Sequence, residues 1–163
     1  MRRRLEIFDA HLVRLLRRHG PASLRIAIGA VFVWFGALKF FPELSPAEDL
    51  AGMTIAQLSF GLIEPEIGVR LLAGLEVTLG LLLMWGRGMR LVLAAVILHI
   101  LGTMTPLVIF PELTFSSFPV APTLEGQYIL KNVILIAGGL VLGATVRELG
   151  AEHDPDRASV PAG

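Results

Sequence analysis

The sequence predicts an all-α fold, an integral membrane bundle of four spanning helices with an amphipathic helix before the first. Three observations predict it. Apolar residues make up 54% and charged residues only 17% of the 163 positions, too little polar surface to cover a soluble core of this size. The apolar residues fall into four blocks, each near the ~20 residues a helix needs to cross the hydrocarbon core. Basic and acidic connections alternate between those blocks. Backbone groups in lipid must find partners within their own segment, so such blocks are read as helices.

The first 22 residues hold Arg2, Arg3, Arg4, Arg14, Arg17 and Arg18, six of the fourteen lysines and arginines. Leu5, Phe8, Leu12, Leu15 and Leu16 recur among them at helical spacing, as expected of an amphipathic helix on an anionic membrane surface. The same face would serve as a docking surface for a cytoplasmic partner protein. The basic stretch is long and no small-residue cleavage site follows it, so a removable signal peptide is not expected.

The membrane domain covers residues 23–146, with spans expected at 23–41, 67–85, 89–110 and 128–146. Residues 42–66 carry Glu43, Glu48, Asp49, Glu64 and Glu66 without one base, and residues 111–127 carry Glu112 and Glu125. Arg87 and Arg90 lie at the turn between the second and third spans, and Arg147 follows the fourth. Basic segments stay in the cytoplasm, so both termini and the 86–88 turn are expected inside. Ser45-Pro46-Ala47-Glu48 has the form of a capping box with proline at the first helical position. A short helix should follow over the outer mouth, its face made by Leu50, Met53, Ile55 and Leu58. Pro111, Pro119 and Pro122 predict an extended, stiff second outer loop. Residues 147–163 are expected to form a cytoplasmic, disordered tail.

Ionisable groups inside a span usually face the bundle interior. Glu76 is placed near mid-depth of the second span, with Ala73 and Gly80 on its stripe to admit a neighbouring helix. His99 lies similarly deep in the third span, with Thr103 one turn on. Together Glu76 and His99 are the candidate proton-handling pair, and a structural hydrogen bond between helices is the alternative. Lys39, Arg70 and Lys131 approach the outer mouth from three helices. They form either a cationic pocket or interfacial pairs with Glu43, Glu66 and Glu125. Tyr128, Asn132, Gly139 and Gly143 share a stripe of the fourth span, the glycines being read as packing.

The chain has no cysteine, so a dithiol relay, a zinc–thiolate site and a cysteine-held iron–sulfur cluster are excluded. A single deep histidine falls short of the two axial ligands of common low-spin haem sites. No metal site, nucleotide loop or nucleic-acid partner is expected, and no covalently bound cofactor.

Trp34-Phe35-Gly36-Ala37-Leu38-Lys39-Phe40 resembles the Gly-x-x-Lys-Phe signature of DoxX-like membrane proteins. Ser45-Pro46-Ala47-Glu48 and Glu76 fit the same pattern. Thr123-Leu124-Glu125-Gly126-Gln127-Tyr128-Ile129-Leu130-Lys131-Asn132 is similar to the stretch that opens the last span in many members. The resemblance extends over about residues 24–146. It implies a four-span protein of the bacterial inner membrane, in a group named for a subunit resembling part of thiosulfate:quinone oxidoreductase. Other members resemble partners in oxidative-stress complexes.

The function expected from this is a redox-associated inner-membrane subunit with a quinone or small-anion pocket open to the outer face. Glu76 and His99 would exchange protons, while Lys39, Arg70, Gln127, Tyr128, Lys131 and Asn132 would hold the ligand. The alternative is a non-enzymatic scaffold or transporter-like bundle that anchors a partner protein.

Overall fold

The computed structural model of the chain describes residues 2–41, 44–45 and 48–152, with backbone alone at 2–5, 7 and 146–152. Among the described residues, four helical segments are long and apolar enough to cross a membrane. In chain order the elements are α1 (Arg2–Leu38), α2 (Glu48–Leu58), α3 (Pro65–Trp85), α4 (Met89–Thr103), α5 (Pro106–Ile109) and α6 (Pro111–Thr114). A hairpin of β1 (Phe115–Ser117) and β2 (Ala121–Pro122) follows, then α7 (Leu124–Leu130) and α8 (Asn132–Glu152). The spans are α1, α3, α4 with α5, and α7 with α8.

Several boundaries differ from those expected. The amphipathic segment and the first span are one helix, with Pro21 inside it, even though Gly20, Pro21 and Ser23 are residues that commonly mark helix ends. The first span stops at Leu38 rather than at residue 41. The third span breaks at Met104–Thr105 and restarts at Pro106, since proline has no N–H for the preceding turn and is well suited to a first helical position. The fourth span begins with α7, capped by the Thr123 side chain. The second loop, 111–127, is only partly extended: Pro111 starts a short helical turn, and Pro122 lies in the second strand of the hairpin that follows. The last helix runs to Glu152, so the expected tail loses its first residues to α8, and the remainder lies outside the described residues.

Spans α3 and α4 join through a turn in which Gly86 and Gly88 take positive φ values of 80° and 63°. The core lies between the spans: Ile28 and Phe32 of α1, Leu79 and Leu83 of α3, Val92, Val96 and Ile100 of α4, and Leu142 of α8. α1 packs most extensively on α3. The reason is a close crossing of small residues. A Cβ on Gly80 would fall 2.6 Å from the Gly29 carbonyl, and one on Gly36 would fall 2.8 Å from Cβ of Glu76. The stripe of Ala73, Glu76 and Gly80 therefore admits a neighbour as expected, and that neighbour is α1. Gly139 and Gly143 make no comparable approach, with 3.6 Å to Ile97 at the first and open space at the second. The packing expected of that stripe therefore holds at Gly139, which is buried against α4, and not at Gly143, which is exposed.

Candidate functional site beneath the acidic loops

The crossing at Gly36 and Glu76 also shapes a recess. α1 ends at Leu38, whereas α3 continues outward to Pro65. With Lys39 lying near the level of Ala73, α3 overhangs the end of α1 by about 12 Å at 1.5 Å per residue. α2 fills one side of the overhang, where Ile55 lies against Gly68 and Gly52 against Pro65. Its buried Leu50 and Thr54 anchor it, and the Thr54 hydroxyl is satisfied by the Leu50 carbonyl at 2.6 Å. What remains open is a pocket of about 960 Å³ lined by Lys39, Ser45, Glu48, Asp49, Glu66, Arg70 and Glu125, with Phe40, Leu50, Met53, Val69 and Leu113. That volume is in the range of small-molecule sites.

Below the pocket is a chain of three ionisable groups. The Lys39 ammonium donates to Oε2 of Glu76 at 2.6 Å and sits 3.4 Å from the Phe35 carbonyl. Nε2 of His99 lies 3.4 Å from Oε1 of the same carboxylate. The three side chains are buried, at 13%, 10% and 6% exposure. The His99 ring meets Phe32 edge-on at 5.5 Å between centroids. Each oxygen of Glu76 thus faces a cationic or protonatable nitrogen from a different helix. This is the condition under which a buried carboxylate is tolerable, because an unpaired one costs several kcal/mol. Lys39 belongs to the pocket wall and to the buried chain at once.

The other candidates are not brought to this point. Arg70 lines the pocket but is exposed, 3.7 Å from Glu66 one turn earlier. Its interfacial pairing was one of the two readings open for it. Lys131 is exposed and lies 5.0 Å over the Tyr128 ring, not on Glu125. Gln127 and Tyr128 are exposed on α7. Asn132 donates to the Thr103 hydroxyl at 3.1 Å, tying α8 to α4. Among the described residues, then, Lys39 and Arg70 share one pocket, and Lys131, Gln127, Tyr128 and Asn132 line none of it. Glu43, the suggested partner of Lys39, lies outside the described residues, as do Pro46 and Ala47.

Sequence reasoning missed Ser45, Glu48, Asp49 and Glu125 as pocket lining, since an acidic loop alone does not show which carboxylates turn inward. Gly36 was quoted only as part of a motif. Its role is steric, letting α1 lie against Glu76. Gly126 acts similarly, since a side chain there would collide with the Thr114 carbonyl beneath the start of α7.

Fold and site together define a four-span helical membrane protein with a buried Lys–Glu–His chain opening into a pocket among its acidic loops. Residues 20–111 match the DoxX family, more than half of the 163 positions, and the chain belongs to that family. The match covers the first three spans, Lys39, Glu76 and His99, and stops before the 123–132 stretch. No curated protein and no solved structure matches the chain.

Proposed function

We propose that this DoxX-family protein is a redox-associated subunit of the bacterial inner membrane whose pocket receives a quinone head group from the outer face. The observation that carries the reading is the double position of Lys39. An occupant touching the Lys39 ammonium is one hydrogen bond from a buried carboxylate, and that carboxylate is in reach of a histidine. Reduction of a quinone to a quinol takes up two electrons and two protons. Lys39 would stabilise the oxygen that becomes negative, Glu76 with His99 would exchange one of the two protons, and water at the open mouth of the pocket would supply the other. The chain has no cysteine, so its own thiols are not the source of the electrons, and a partner subunit would deliver them.

The charge of the wall favours a neutral head group over a small anion. Glu48, Asp49, Glu66 and Glu125 line the pocket against Lys39 and Arg70, and both cations already have carboxylate partners. An anion would meet net negative charge. The loop charges support the orientation read from the sequence: Arg87 and Arg90, with the arginine-rich first helix, lie at the end away from the pocket, the end that the positive-inside rule keeps in the cytoplasm.

One observation favours a second reading. Lys39, Glu76 and His99 come from the end of α1, from α3 and from α4, so the same network also ties three spans and would suit a scaffold. Titration of a short-chain quinone into the purified protein separates the two. The quinone reading expects saturable binding, weakened about tenfold or more (~1.4 kcal/mol) by Lys39→Ala and by Glu76→Gln. The scaffold reading expects no binding by folded wild type.

A further inference from the structure

α1 has 37 residues, about 55 Å at 1.5 Å each, whereas the hydrocarbon core is ~30 Å thick. Its outer end is fixed by Lys39 at the pocket, so the excess lies at the N-terminal end, before Gly20 and Pro21. That excess is not polar all round. Phe8, Leu12, Leu15 and Leu16 are exposed, at 68%, 41%, 53% and 59%, and no described element covers them.

The phase of this apolar stripe is informative. Continued along the helix at three- and four-residue steps, it runs through Ser23, Ile26, Ala30 and Trp34, all exposed on the outside of the span. The opposite stripe runs from Arg14 and Arg17 through Pro21 to Ile28, Gly29 and Phe32, the last three of which face the bundle. The apolar face of the N-terminal segment therefore looks the same way as the lipid-facing side of the span. Pro21 supplies a bend point, because its missing N–H and its ring weaken the preceding turn. An outward bend there swings the segment away from the bundle, and that rotation carries the outward face up onto the membrane. A bend in any other direction would leave the leucines in water.

We infer that residues 2–19 lie in the membrane surface as a radial anchor that recognises an anionic lipid leaflet. Phe8, Leu12, Leu15 and Leu16 enter the headgroup boundary, as amphipathic interfacial helices do. Arg18 sits at the boundary of the two faces, next to lipid phosphates. Arg14 and Arg17 face the water within about a Debye length (~8–10 Å) of the surface charge. The inference is independent of what fills the pocket.

The absence of cysteine makes single labelling sites simple to introduce. Leu12→Cys and Arg14→Cys in the full chain, each carrying a nitroxide, would be reconstituted into vesicles of phosphatidylglycerol and, separately, of phosphatidylcholine. Using one lipid for both leaflets makes the result independent of orientation. In phosphatidylglycerol the label at 12 should lie about 5–10 Å below the headgroups, accessible to oxygen and shielded from an aqueous relaxer. The label at 14 should stay in water. Replacing the lipid by phosphatidylcholine should return the label at 12 to water. Equal water exposure at 12 and 14 in phosphatidylglycerol would overturn the anchor. Spin–spin broadening between labels at 12 would assign the face to a second copy instead, and insertion of equal depth in both lipids would overturn recognition of lipid charge.

Discussion

Glu76 has two carboxylate oxygens and a partner on each, Lys39 at 2.6 Å and His99 at 3.4 Å. Removing one member of such a group leaves another buried and unpaired, and that penalty exceeds the value of the bond itself. Glu76→Gln should fold but lose stability, by less than the ~3–5 kcal/mol of a fully enclosed pair, because Lys39 can turn its ammonium into the pocket. Lys39→Met combined with Glu76→Gln should recover most of the loss, since no charge then remains stranded. Thermal unfolding of the four proteins in detergent measures this. Additive losses in the double variant would show that the two groups do not act as a pair. The sequence made Glu76 and His99 visible because ionisable residues in apolar blocks are rare. It placed Glu76 near mid-depth, counting along its own span alone. The depth that matters is set by where α1 stops, a few residues beyond Gly36, and no single span carries that information.

Close helix crossings depend on pairs of small residues from two segments, and the chain has more such residues than crossings. Gly80 and Gly143 look equivalent in sequence, each on an apolar helix in a small-residue stripe. Only Gly80 meets backbone, its missing Cβ lying 2.6 Å from the Gly29 carbonyl. Gly80→Ala should therefore force α1 from α3 and destabilise the protein by about 1–3 kcal/mol, the usual range for overpacking. Gly143→Ala should be neutral or stabilising by up to ~1 kcal/mol, because alanine is the better helix former and the space is open. Denaturant unfolding of both variants tests the assignment, and equal effects would contradict it. Element types were legible from block length and hydropathy. The continuity of α1 through Pro21 and the folded second outer loop were not, because proline marks a helix start as readily as a break.

At the scale of the molecule, the alternating charge of the loops and the four apolar blocks were enough to read the bundle and its acidic and basic ends. The pocket was not readable, because it exists where one helix ends early, a second overhangs it and α2 closes the side. Lys39 and Arg70 reach it, whereas Tyr128 and Lys131 stack on each other outside it. The proposal stands or falls on whether Glu76 exchanges a proton when the pocket's occupant is reduced. Infrared difference spectroscopy of the reconstituted protein, recorded between oxidised and reduced bound quinone, addresses this most directly. A carboxyl stretching band that changes on reduction, disappears in Glu76→Gln and is displaced in His99→Gln is the predicted result. A difference spectrum that is the same in wild type and Glu76→Gln would contradict it, leaving the buried chain as a tie between spans.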